Sequence, residues 1–124
     1  MAIGNELSER GEVRLREWER RKEFVGFTEQ DAQLLRELRP AAEAFADDVV
    51  EELYRRFLQF EETKEFFPDE ATISRVKGMQ KAYFLGLTQG EYGEAYLAGR
   101  LKIGRAHQRI GLSPRWYMGA YAIY

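Results

Sequence analysis

The sequence predicts an all-α fold, and three observations carry that prediction. Apolar residues recur at spacings of three and four, as in Phe45, Val49, Leu53 and Phe57, and no stretch alternates β-branched residues at the period of two that a half-buried strand shows. Proline and glycine fall between segments of helical length. The chain is 44% hydrophobic and 14% aromatic over 124 residues, enough for one packed core and too short for two. A single domain over residues 1–124 is therefore expected.

Each helix has its own justification. Residues 12–24 read as a charged helix with only a weak stripe of Val13, Leu15 and Trp18, suited to a surface or a partner. Thr28, with Asp31 three residues on, is close to a capping box and opens a short helix to about Leu38. Pro40 ends it and suits the first turn of the next helix, "PAAEAFADDVVEELYRRFLQF". There Phe45, Val49, Leu53 and Phe57 share a face beside Val50 and Tyr54, while Glu51 with Arg55 and Glu52 with Arg56 are spaced for surface ion pairs. After a corner at "EETKEFFPDE", Asp69 opens a helix whose inward residues are Ile73, Val76, Met79, Tyr83, Phe84 and Leu87, with Gly86 and Gly90 loosening its end. A helix over 91–110 carries His107, Gly111 stops it, and Ser113 with Pro114 starts "RWYMGAYAIY". That pattern is still apolar at Tyr124, so the sequence reads as cut within a helix, or as calling for a partner over its exposed face.

Composition removes several classes of function. With no cysteine there is no disulfide, thiolate nucleophile, zinc knuckle or thioether link to a cofactor. No run reaches the roughly 20 apolar residues of a membrane span, and the charged start is unlike a signal peptide, so a soluble cytoplasmic protein is expected, with no membrane partner. Net charge is −2, but residues 63–124 hold nine bases and five acids. Those bases are spread along helices without flexible basic arms, which reads as a solvated face rather than a nucleic-acid surface. Asp47, Asp48, Glu51 and Glu52 resemble a carboxylate cluster, yet a helical di-iron site needs Glu-x-x-His pairs and the chain has one histidine. The serines lack a histidine partner and a strand-turn-helix elbow, and "GRAHQRIG" lacks the Gly-Lys-Ser/Thr ending of a phosphate loop. No enzyme active site emerges.

His107 remains. A lone histidine in a helix is ordinarily a half-buried polar residue satisfied by backbone or water. A single imidazole cannot build tetrahedral zinc, but it suffices for iron already held by four porphyrin nitrogens. The aromatic and apolar stripes at Tyr54 to Phe57 and Val76 to Phe84 would supply walls for such a flat macrocycle.

The stretch "YFLGLTQGEYGEAYLAGRLKIGRAHQRIGLSPRWYMGAY" resembles the proximal half of the globin domain of globin-coupled sensors, the haem-based gas sensors of bacteria and archaea, and "IGRAHQRIGLSPRWYMGAY" carries the resemblance most specifically. The likeness extends through "FFPDE" and "VVEELYRRF" back to about Phe24. It implies a globin fold with an extra charged N-terminal helix, haem b as cofactor, His107 as proximal iron ligand and Tyr54 as distal tyrosine. It further implies that Val76 and Met79 wall the gas pocket, that Phe57, Phe66 and Phe67 grip the porphyrin, and that Tyr83 and Ile103 line it. Tyr117 becomes a candidate acceptor for the second imidazole nitrogen, Gly104 a point where a ring approaches the backbone, and Lys77, Lys81 or Arg105 alternatives for the propionates. Globin domains of this family continue through a long final helix, build a homodimer through their last two helices and hand over to a signalling module; here that final helix is missing. The function implied is sensing of O2, with CO or NO as possible ligands. Two other readings stay open: a cofactor-free helical interaction domain, and a haem enzyme such as a nitric oxide dioxygenase.

Overall fold

The structure, a computed structural model, describes residues 2–124, with side chains from Glu9 onward. Among the described residues seven helices follow one another: α1 (Ala2–Val25), α2 (Glu29–Glu37), α3 (Arg39–Phe57), α4 (Glu61–Lys64), α5 (Glu70–Gly86), α6 (Glu94–Ile110) and α7 (Pro114–Ile123). There is no strand among the described residues, as the spacing of apolar residues predicts.

Local chemistry sets most boundaries. The Thr28 backbone N–H donates to the Asp31 carboxylate at 2.8 Å, completing a capping box at the start of α2. Pro40 stands in the first turn of α3, and Asp69 Oδ1 accepts from the Thr72 N–H at 2.7 Å to cap α5. α6 begins at Glu94 rather than 91, because Gly90 turns through a positive φ of 87° and Gly93 precedes the first helical residue. α1 runs 24 residues, well upstream of the expected start at residue 12. Its first half has no sustained apolar stripe for sequence reading to detect.

The core sits where α3 crosses α5 and α7. Val50, Leu53, Tyr54 and Ala120 are buried together, with Phe57, Phe67, Val76, Ile123 and Tyr124 packed against them. On α3 the buried line is Ala42, Ala46, Val50, Leu53 and Tyr54, which corrects the expected stripe: Phe45 is 60% exposed. Alanines at 42 and 46 let the neighbouring backbones approach closely, and a phenyl ring on that line would hold them apart. Met79 is likewise outside, 62% exposed beside Arg75. The acids of α3 form ion pairs in a pattern that only packing reveals. Glu52 takes both Arg55 and Arg56 at 2.7 and 2.8 Å, while Glu51 and Asp47 reach across to Lys77 and Lys81 of α5 at 2.9 and 2.8 Å. The expected Glu51–Arg55 pair is thus replaced by an interhelical rung.

Candidate functional site

His107 stands in the last turn of α6. Gly111 closes that helix in the left-handed conformation at φ 75°, so the Leu112 N–H donates to the His107 carbonyl and the Gly111 N–H to the Gln108 carbonyl, each at 3.1 Å. This pair of bonds is a Schellman closure, which needs a residue free to adopt positive φ. It fixes the backbone of His107 and turns the chain into α7. Tyr117 then folds back flat against the imidazole, with ring centroids 5.2 Å apart and planes 11° from parallel. The imidazole N–H and lone pair lie in the ring plane, so a tyrosine stacked on the face does not reach them with its hydroxyl. Tyr117 therefore meets the imidazole by stacking, and the two side chains form no hydrogen bond among the described residues.

Burial pushes the His107 pKa below its ordinary value of 6.5. A helix C-terminus favours a cation by up to about 2 kcal/mol in partly buried settings. At His107 partial burial acts the other way, lowering the pKa and favouring the neutral ring with its free lone pair. The imidazole makes no hydrogen bond among the described residues.

The second group is Tyr54, 4% exposed and edge-on to Phe57 and Phe67 at 5.6 and 5.3 Å. Burial, with a smaller contribution from neighbouring Tyr124, pushes its phenol up to about 12, so it stays a proton donor at any physiological pH. Its hydroxyl has no hydrogen-bond partner among the described residues. Among the described residues no fully buried side-chain nitrogen or oxygen is left unpartnered, so that oxygen keeps some access to open space.

α7 links the two groups. Tyr117, Ala120 and Tyr124 recur at helical spacing along it; the first stacks on His107, the others pack with Tyr54. The structure thus gathers Tyr54, Phe57, Phe67 and Val76 in one cluster, and holds His107 with Tyr117 at the other end of the same α7 face. Ile103 is half-buried one turn before His107 on α6. Tyr83 joins the Tyr54 cluster only at its edge, its hydroxyl against that of Tyr121, whose ring is edge-on to Tyr124 at 5.4 Å. Met79 joins neither. Lys77 and Lys81 are committed to Glu51 and Asp47, and Arg105 is exposed.

Sequence reading missed Arg100, whose guanidinium lies 3.9 Å from the centre of the Tyr83 ring and 4.5 Å from that of Tyr96. Its signal was present, since Arg100 precedes His107 by two helical turns on one face. Trp18 and Lys22 form a further group with Tyr92, which lies 74 and 70 positions from them. α5 and α6 contain no fully buried residue; their apolar faces are half-covered stripes.

Comparison with known proteins agrees with this architecture. The family model described as Protoglobin matches residues 15–124. The heme-based aerotactic transducer HemAT of Halobacterium salinarum is 36% identical over 105 residues, which is 84% of this chain and 22% of the transducer. The chain thus spans about a fifth of the length of that relative. The globin domain of the Geobacter sulfurreducens globin-coupled sensor superposes with a TM-score of 0.77 at 31% identity, covering 82% of this chain and 67% of that one. No helix is long and apolar enough to cross a membrane among the described residues. A capped α6 ending in a single histidine, an all-helical arrangement that superposes on a sensor globin, and a family match over nearly all of its length lead to one conclusion: this chain belongs to the Protoglobin family and has the globin fold of globin-coupled sensors.

Proposed function

We propose that this chain is a haem-binding sensor domain that binds a diatomic gas, O2 foremost, and is not itself an enzyme. One observation carries the reading: the single histidine of the chain is half-buried in the last turn of α6, its pKa lowered by that burial, and stacked face-on by Tyr117, a setting that favours the free lone pair an axial ligand to iron needs. The donor set fits haem b. Four ring nitrogens leave one protein ligand to be supplied, there is no cysteine for covalent attachment, and the half-covered apolar faces of α5 and α6 suit a flat hydrophobic ligand.

The cofactor supplies reversible gas binding at iron; the protein decides which gas is preferred and how its arrival is transmitted. His107 provides the lone pair. Tyr54 provides a protonated phenol whose hydroxyl is not engaged elsewhere, and a donor of this kind favours a ligand that gains negative charge, as O2 does, over carbon monoxide, which polarises less. Phe57, Phe67 and Val76 surround that phenol with apolar groups, which raises the weight of its one hydrogen bond. Because α7 touches both His107 and the Tyr54 cluster, a change at either group is felt along that helix. Met118, 66% exposed on α7, lies on a face that a second copy would cover in a homodimer, and a linked signalling module would read the rearrangement. The aerotactic relative supports gas sensing as the purpose.

The test is optical. Haem added to the purified chain should give a Soret band that moves on reduction and again on carbon monoxide; a folded chain that takes up no haem would contradict the proposal.

A further inference from the structure

We infer that α1 is an output arm driven by α6, a role that rests on ligand binding at His107 as proposed above. Two donors one turn apart on α1 converge on one carbonyl: Trp18 Nε1 and Lys22 Nζ donate to the Tyr92 oxygen at 2.7 and 3.0 Å. Tyr92 stands two residues before the first residue of α6. Its ring is edge-on to Phe27 at 5.2 Å and to Tyr96 at 4.9 Å, and Trp18 stacks on Tyr96 at 6.0 Å. The Tyr92 hydroxyl donates to the Leu87 carbonyl and Arg36 Nη1 to the Gly90 carbonyl, each at 2.5 Å. The entry of the helix that holds His107 is therefore gripped by α1, and the grip includes α6 itself through Tyr96.

On the other side of the grip the described part of the arm carries no buried side chain. Residues 9–14 are all exposed, so nothing among the described residues resists a swing of that half. An α-helix is stiff along its hydrogen-bonded axis and rises 1.5 Å per residue. The stretch from Trp18 back to Ala2 is thus a lever of about 24 Å, and a pivot of roughly 5° at Trp18 carries its end about 2 Å. Shifts of 1 to 2 Å in a helix are of the size that switching proteins use. α6 is the driver because it joins the gas-responsive residue at one end to the gripped carbonyl at the other, without a break between Glu94 and Ile110.

Hydrogen–deuterium exchange on the haem-loaded chain, ferrous deoxy against ferrous carbonyl, tests this. Amides of residues 9–25 should exchange at rates differing by about threefold or more between the two forms, because a grip that shifts with α6 changes how readily the turns of α1 held at Trp18 and Lys22, and the exposed turns that depend on them, open. In Trp18→Phe with Lys22→Met, which keeps ring and stem but removes both donors, that difference should vanish while the carbonyl shift of the Soret band is retained. Equal exchange in the two forms of the unsubstituted chain, with a normal Soret shift, overturns the arm and leaves the haem reading standing. Persistence of the difference in the double variant also overturns it, because the grip would then not be the route. The comparison in the unsubstituted chain decides by itself if the double variant does not fold. A chain that shows no Soret band removes the haem reading and the arm with it.

Discussion

The α3–α5 side and the α6–α7 side of the molecule are built by opposite means. Between α3 and α5, small alanines allow close approach, Leu53 is wholly enclosed, and two charge rungs, Glu51–Lys77 and Asp47–Lys81, fix the register. Thr63 in α4 is 1% exposed, its hydroxyl donating to main-chain carbonyls at Phe57 and Phe60. On the other side α6, like α5, encloses no residue of its own, and it has no partner such as Leu53 of α3; its order comes from a Schellman closure, the Tyr117 stack, Arg100 over Tyr83 and the grip of α1. The first side is stabilised by its own packing. The second holds a neutral imidazole on a stripe left half-covered, which costs packing energy and leaves a surface for a ligand. A scaffold and a site divide the molecule between them, and the two should respond differently to substitution.

The largest expected effect is on the scaffold. Leu53→Ala should lower unfolding stability by about 2–5 kcal/mol, read by denaturant unfolding of the haem-free chain. A loss near zero would mean that the two sides do not differ as described. Next, Tyr54→Phe should leave the fold and haem content in place and weaken O2 relative to carbon monoxide by roughly ten- to a hundredfold, the equivalent of a hydrogen bond to a charged acceptor worth about 1.5–3 kcal/mol. An unchanged O2 dissociation rate would remove the phenol from the mechanism. The smallest effect is electrostatic. His107 titrates below 6.5 in the fold and near 6.5 when unfolded, so the unfolded chain binds the proton first as pH falls. Stability should therefore decline from about pH 6.5 downward, and the haem-free His107→Gln variant should lose that part of the slope. Equal slopes in the two proteins would show that the imidazole is not desolvated.

Features that depend on neighbours in sequence are legible without a structure. The box at Thr28 and Asp31, the cap at Asp69, the proline at 40 and the glycine at 111 each act within a few residues, and the helices begin and end close to them. His107 stands out in the sequence because it is alone, and a single imidazole excludes most metal chemistry except axial ligation. What depends on rotation about a helix axis is not. Phe45 and Met79 satisfy a helical period as well as their buried neighbours do, but the alanine line on α3 and the charge rungs to α5 turn both outward. Tyr117 lies near His107 as expected, yet whether it meets the imidazole edge or face is decided by how α7 leaves Gly111. The Trp18–Tyr92 contact joins residues 74 positions apart, and no local pattern announces it.

The central claim is that one side chain holds the iron. The direct measurement is the spectrum of ferrous His107→Ala with added haem, recorded before and after a titration with free imidazole. Haem uptake should collapse, or its histidine-type spectrum disappear, and imidazole should restore the spectrum by occupying the space beside Tyr117. A variant that binds haem as the parent does, with the same ferrous spectrum before any imidazole is added, would contradict it.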